Sequence, residues 1–225
     1  VCSSDLVGGN FSYSHYKTNY LSTQEDGADG SSGNVFALTT VAPIYPLYIR
    51  DEKGNIMYNS TAGIQSYDYG DGTVNGLIRP YIQQANPLCS NQLDTNESEG
   101  NSVNAIGFAE VRFLKDFKFT STNSVSSEET RSTITTNPWF GQYASQNGAI
   151  TVEHDRTWSY NYQQLLTWHH QFDQHEVDAM LGHEYYRRRY YVLYGDKTNM
   201  YTFPSNDMAS AVNTGSTNSY RNDYN

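Results

Sequence analysis

Arg156-Thr157-Trp158-Ser159-Tyr160-Asn161-Tyr162-Gln163-Gln164-Leu165-Leu166-Thr167-Trp168 is the stretch whose period decides the fold. Trp158, Tyr160, Tyr162, Leu166 and Trp168 fall on one side of a two-residue repeat; Thr157, Ser159, Asn161, Gln163 and Thr167 fall on the other. A strand imposes this repeat, because successive Cβ atoms point to opposite faces of a sheet. The segment runs on to Phe172, and aromatic residues gather at its two ends. After Asp173-Gln174 the alternation resumes, with Val177, Ala179, Leu181, His183 and Tyr185 against Glu176, Asp178, Gly182 and Glu184. Two alternating runs around a short polar break read as a tight hairpin.

Earlier in the chain, Val103, Ala105, Gly107, Ala109, Val111 and Phe113 alternate with Asn104, Glu110 and Arg112, while Ile106, Phe108 and Leu114 break the polarity. Lys115-Asp116 alone separates them from Phe117, Phe119 and Val125, which oppose Lys118, Thr120, Thr122 and Ser124, so a second hairpin is expected. Weaker strands are expected at about Val7 to Thr18, where Phe11, Tyr13 and His15 share a face, and from about Gly215 onward, giving about six in all. The connections are unequal. Turns at Lys115-Asp116 and Asp173-Gln174 are tiny, whereas Asn19–Asn101, Glu128–Ile150 and Tyr194–Thr214 are long and share one end of an up-and-down meander. That asymmetry, with strands longer than the roughly 9–11 tilted residues that cross hydrocarbon, is what outer-membrane barrels show. The expected fold is all-β: an antiparallel up-and-down transmembrane β-barrel segment with long extracellular loops, an incomplete barrel.

Composition fits a half-wet surface better than a dry core. Hydrophobic residues make up 37% of the 225, but 20 residues are Tyr, which belongs where one end of a ring meets an apolar phase and the other meets water. A net charge of −10 argues against a nucleic-acid partner, since phosphate binding needs a surplus of Lys and Arg. Arg187-Arg188-Arg189 is the one basic run; its middle member would face away from the other two, so it reads as a solvated or lumen-lining stretch rather than a polyanion site. No run of about 18 apolar residues exists, which excludes a spanning helix but not a barrel. Val1 to Leu6 fit no pattern that follows and are set aside as an end artefact, leaving residues 7–225 as barrel. With no initial Met and no signal peptide, the chain is expected to be an internal fragment. Cys2 and Cys89 suffice for neither a disulfide framework nor a zinc site.

The long connection of residues 19–101 is rich in Gly, Asn, Asp and Ser around Gln24 to Asn34, then carries an apolar island from Val35 to Ile49 with room for a short helix before Pro43. Asp26, Asp29, Asp68 and Asp71 sit among its glycines; turn chemistry explains them more cheaply than a calcium site, and no EF-hand spacing is present. No catalytic motif is found, and adjacent His169 and His170 would point to opposite faces, as would His183 and Glu184. The chain is therefore not expected to be an enzyme, and no cofactor is implied. Loop aromatics remain: Tyr45, Tyr48, Tyr67, Tyr69, Trp139, Phe140 and Tyr143 are candidates for substrate or partner contact, with plain loop packing as the simpler reading. Trp158 and Trp168 are expected to anchor opposite membrane girdles.

Several phrases in order carry a resemblance. They are Ala42-Pro43-Ile44-Tyr45-Pro46 leading to Asp51-Glu52-Lys53-Gly54-Asn55, then Tyr67-Asp68-Tyr69-Gly70 and Asn86-Pro87-Leu88. Phe113-Leu114-Lys115-Asp116-Phe117-Lys118-Phe119, Asn161-Tyr162-Gln163-Gln164-Leu165-Leu166-Thr167, Phe172-Asp173-Gln174-His175 and Leu181-Gly182-His183-Glu184 follow. From about Gly8 onward the chain resembles SusC/RagA-like TonB-dependent outer-membrane transporters. The resemblance implies a barrel of about 22 strands closed around an amino-terminal plug, a SusD-like lipoprotein as partner, energy from the TonB complex, and an oligosaccharide or peptide as cargo. It also implies that plug, TonB-engaging segment and closing strand lie outside this chain. The alternatives are a passive porin-like barrel and a secreted, lectin-like β-sandwich.

Overall fold

The computed structural model describes residues 5–20, 43–72, 76–80, 86–141 and 143–225. In chain order the elements are β1 (Asp5–Asn19), the two-residue β2 (Tyr58–Asn59) and β3 (Ile64–Gln65), helix α1 (Pro87–Leu93), β4 (Thr95–Phe113), β5 (Phe117–Thr136), β6 (Ala149–Phe172), β7 (His175–Met200) and β8 (Ala211–Tyr224). The six long strands form one antiparallel sheet in the order β1-β4-β5-β6-β7-β8, an open meander whose outer strands are each unpaired on one side. The protein is all-β, and its sheet is the curved wall of an unclosed barrel.

Both tight hairpins are present. Phe172 pairs with His175 across Asp173-Gln174, and Asp173 takes the positive φ of 53° that a two-residue reversal demands. The first turn is one residue longer than its sequence suggests: Phe113 pairs with Phe117, so Leu114 joins Lys115 and Asp116, and Leu114 and Lys115 both adopt positive φ.

The strands run much further toward the loop end than the alternation indicates. β4 begins at Thr95, β5 continues to Thr136, β7 runs to Met200, and the connections shrink to residues 137–148 and 201–210. Ser126-Ser127-Glu128-Glu129-Thr130-Arg131-Ser132-Thr133 is polar on both faces, so its hydropathy has no period although its ladder to β4 and β6 is unbroken. β1 likewise starts earlier than expected: Asp5 and Leu6 pair with Val111 and Glu110. The helix expected before Pro43 falls on residues outside those described, as do Cys2, Asp26 and Asp29; the helix that is described, α1, comes after Asn86.

Register sorts the side chains. Directly opposed residues share a face, so Val7, Phe11, Val103, Ala105, Val111, Phe113, Phe117, Phe119, Val125, Trp158, Tyr160, Tyr162, Leu166, Trp168, Val177 and Leu181 all lie on one side. No second layer among the described residues covers them: Val7 is 79% exposed, Leu181 72% and Phe11 68%. In the middle of this face a polar row, Ser121–Gln164–His183, satisfies itself, with Gln164 Oε1 3.0 Å from His183 Nδ1 and Asn123 donating to Ser121 at 3.1 Å. On the other face Ser, Thr, Asn and Gln predominate in β5 and β6, and Glu184 there accepts hydrogen bonds from Asn161 and Gln163. Phe108 breaks that polarity for a steric reason. Its ring lies over Gly8, its partner across the ladder, where a Cβ would come within 2.5 Å.

Candidate functional site

The loop end of the sheet is built around Tyr67, Tyr69, Cys89 and Phe140, with Leu47, Tyr48, Ala62, Ile64, Leu93 and Trp139 packed against them. Tyr67 meets Phe140 edge-on at 5.5 Å, Tyr48 lies 4.9 Å from Tyr67, and Tyr69 stacks parallel to Phe140 at 6.2 Å. Tyr67 donates to Gln92 on α1.

Two buried asparagines assemble this cluster, and sequence reasoning missed both. Asn86 caps α1 by accepting from the Cys89 amide at 3.1 Å, while its amide donates to the Leu47 and Asp68 carbonyls. Asn137 accepts from the Trp139 and Phe140 amides, and its backbone and side-chain nitrogens both donate to Asp94 Oδ1 at 2.8 Å. The signals were there. Asn before Pro at a helix start and Asn-Pro at a turn are capping and Asx-turn chemistry.

Burial sets the electrostatics. It pushes the Asp94 carboxyl up to about 6 against the opposing pull of the Asn137 hydrogen bonds, raises the Cys89 thiol to about 12, and raises Tyr67 to about 12. Tyr69 rises too, again through burial. Raised this far, the Cys89 thiol and the Tyr67 and Tyr69 hydroxyls stay protonated at neutral pH. Asp51 goes the other way: hydrogen bonds from the side chain and backbone of Asn55 hold it below the usual carboxylate range.

The seven loop aromatics therefore divide. Tyr67, Tyr69 and Phe140 are 5–7% exposed, so their faces are spent on one another. Tyr48 and Trp139 are half-buried against them, and Trp139 meets Phe203 edge-on at 5.2 Å, joining two connections. Tyr45 carries the Arg79 guanidinium 4.6 Å above its ring, and Tyr143 is half-buried at the 137–148 connection. Asp68 is likewise occupied, accepting from the Gly70 amide at 2.7 Å and lying 3.4 Å from Arg79.

Trp158 and Trp168 share the apolar face, ten positions apart on β6. Trp168 belongs to a chain of rings with Phe113, Phe117, His170 and Phe172 beside the tight turns. Trp158 lies near Tyr160, Tyr162 and Tyr185, which form a second group toward the loops, and the Arg156 guanidinium sits 5.2 Å over its ring. His169 and His170 do point apart: His169 is 2.8 Å from Asp178 and 3.6 Å from Glu176 on the polar face, and His170 is 2.8 Å from Asp116 on the other. Among the described residues, His169, Glu176 and Asp178 are the grouping able to hold a metal ion, and all three are exposed.

No family model matches the sequence, and no curated protein does. Among solved structures, the RagAB peptide transporter matches 96% of this chain at a TM-score of 0.65 and 17% identity, over 22% of its own length. The RagAB peptide importer in its open-open state matches 96% at 0.64 and 17%, and in its closed-closed state 97% at 0.62 and 18%, each again over 22% of that chain. The chain thus spans about a fifth of the length of the structures it matches. At such identity the likeness is one of fold: this chain has the fold of about a fifth of those chains.

Proposed function

We propose that the chain is part of an outer-membrane importer, its sheet a sector of a lipid-embedded barrel and its loop cluster the extracellular rim. One observation carries this reading: a single uncovered apolar face bounded by aromatic groups at two levels, with short turns beyond one and packed loops beyond the other. Ten residues at about 3.3 Å each, tilted about 40°, span roughly 25 Å, the height of an outward apolar band. The self-paired polar row fits as well, because polar groups in hydrocarbon must find partners within the protein. The bare edges of β1 and β8 would need further strands to cover them in a bilayer.

In this reading, transport is energised through the TonB complex and assisted by a SusD-like surface lipoprotein, with an oligosaccharide or a peptide as cargo. The solved neighbours are peptide transporters, and three of the aromatic faces suited to stacking on sugars are buried here, so peptide is the better assignment. The chain's residues supply wall and rim; no catalytic role is assigned to them. The test is fractionation of the producing cells, followed by uptake of labelled peptide and labelled oligosaccharide with and without a protonophore. Outer-membrane location and protonophore-sensitive uptake are expected. Protonophore-insensitive flux would indicate a passive pore, and a soluble, monomeric, cooperatively unfolding protein in the absence of detergent would end the membrane reading.

A further inference from the structure

A groove of about 740 Å³ lies on the apolar face at its loop-side border and is lined by Arg156, Trp158, Tyr160, Arg189, Tyr191 and Arg221 among others. Register explains the convergence. One row across the strands reads Glu129–Arg156–Tyr191–Arg221, the next Ser127–Trp158–Arg189–Asp223, and the one after it Val125–Tyr160–Arg187. Four of the chain's 14 basic residues therefore meet on one patch of a protein whose net charge is −10. The sequence hid this, because Arg187-Arg188-Arg189 splits across the sheet while Arg156 and Arg221 arrive from neighbouring strands.

The carboxylates in those rows are Glu129 and Asp223, two against four guanidiniums. Glu129 is taken by His154 at 2.6 Å. Asp223 is shared among Arg221, Arg187 at 3.3 Å and Arg189 at 3.7 Å. Arg156 and Arg221 lie over the rings of Trp158 and Tyr191, at 5.2 and 5.7 Å, which fixes their planes. Immediately below lie Tyr162, Leu166 and Leu181 on the same uncovered face.

We propose that this groove binds the phosphate-bearing headgroup of an anionic lipid in the leaflet on the loop side. Phosphate oxygens are suited acceptors for the planar, multi-donor guanidiniums of Arg156, Arg189 and Arg221 that line the groove, and the acyl chains descend along the apolar strip that continues from the groove. The inference rests on the membrane reading above, so its test must separate the two.

The protein, with Trp158 kept as its sole tryptophan, is placed in phosphatidylcholine nanodiscs carrying a trace of dansyl-labelled phosphatidic acid or dansyl-labelled phosphatidylcholine, and energy transfer from Trp158 is read. Stronger transfer to phosphatidic acid is expected, and Arg156→Gln and Arg189→Gln should each lower that preference roughly tenfold or more. Arg188→Gln, on the opposite face, should leave it unchanged. Arg156 has no carboxylate ion-pair partner among the described residues, so its variant stays informative should loss of the Asp223 pairing disturb the strand in the other. Equal transfer to both lipids, or an equal loss in Arg188→Gln, overturns the proposal while leaving the membrane reading intact. Displacement of the labelled lipid by inorganic phosphate alone overturns the lipid assignment. Failure to enter nanodiscs of either composition sinks both readings.

Discussion

Asn137 is the residue on which the loop cluster turns, because it satisfies two amides of its own turn and holds a buried carboxylate from another segment. Asn137→Ala removes its acceptor and one of its two donors to Asp94, and should cost the cluster roughly 2–4 kcal/mol, seen as faster hydrogen exchange at the Trp139 and Phe140 amides. Asp94 adds a pH dependence whose sign follows from its raised pKa. Folded, it binds a proton at about 6 rather than at 3.8, so the stabilisation is complete below about pH 4 and is lost as pH rises through about 6. Protection factors in the cluster, with the intrinsic pH dependence of amide exchange divided out, should fall across that window and level off above it; in Asp94→Asn that trend should vanish. Gly70 poses a steric limit instead. At φ +66° a Cβ would fall 2.1 Å from the Arg79 side chain, so Gly70→Ala should displace Arg79 from Asp68 and cost about 1–3 kcal/mol, measured as protease sensitivity of residues 43–72. That Tyr67, Tyr69 and Phe140 would be buried was not legible in the sequence: Tyr67 and Phe140 are 73 positions apart, and an aromatic in a loop carries no local mark of whether a distant ring will cover it.

Among the elements, the strands could be read wherever their two faces meet different surroundings, and nowhere else. β6 from Arg156 to Phe172 and β7 from Val177 to Tyr185 advertise themselves by alternation, whereas the upper halves of β4 and β5, polar on both sides, are as regular in ladder and silent in pattern. Helix α1 was overlooked for another reason: at seven residues it is too short for a 3.6-residue period, and only its Asn86-Pro87 start declares it. The polar row on the apolar face gives an element-scale test. Gln164 and His183 are directly opposed on β6 and β7 and bond to each other. Gln164→Leu or His183→Leu alone leaves one polar group facing hydrocarbon and should cost about 1–3 kcal/mol. The double Leu variant should return close to the parent stability. Additive losses in a double-mutant cycle of urea unfolding in lipid would mean that the two side chains do not act as a pair there.

At the scale of the whole molecule, the arrangement to explain is a sheet with one face uncovered along six strands and a small packed core confined to its loop end. A soluble sandwich would bury that face against a second sheet; a barrel wall leaves it for lipid and places its rings at the two interfaces. The chain's three tryptophans sample the three levels this assigns: Trp168 beside the tight turns, Trp158 at the loop-side border of the apolar band, and Trp139 among the loops. Three single-tryptophan variants in bilayers of lipids brominated at defined acyl depths should therefore differ in a fixed way. Trp158 and Trp168 should both be quenched most strongly by bromines near the headgroups and less by bromines near the chain ends, because each sits at an interface. Trp139 should escape quenching at every depth and respond to aqueous iodide instead. A soluble quencher added to one side of sealed vesicles separates the two interfacial residues, reaching Trp158 from the loop side and Trp168 from the turn side. Quenching of Trp139 by acyl bromines, or none of Trp158 and Trp168, would place the apolar face against something other than a bilayer.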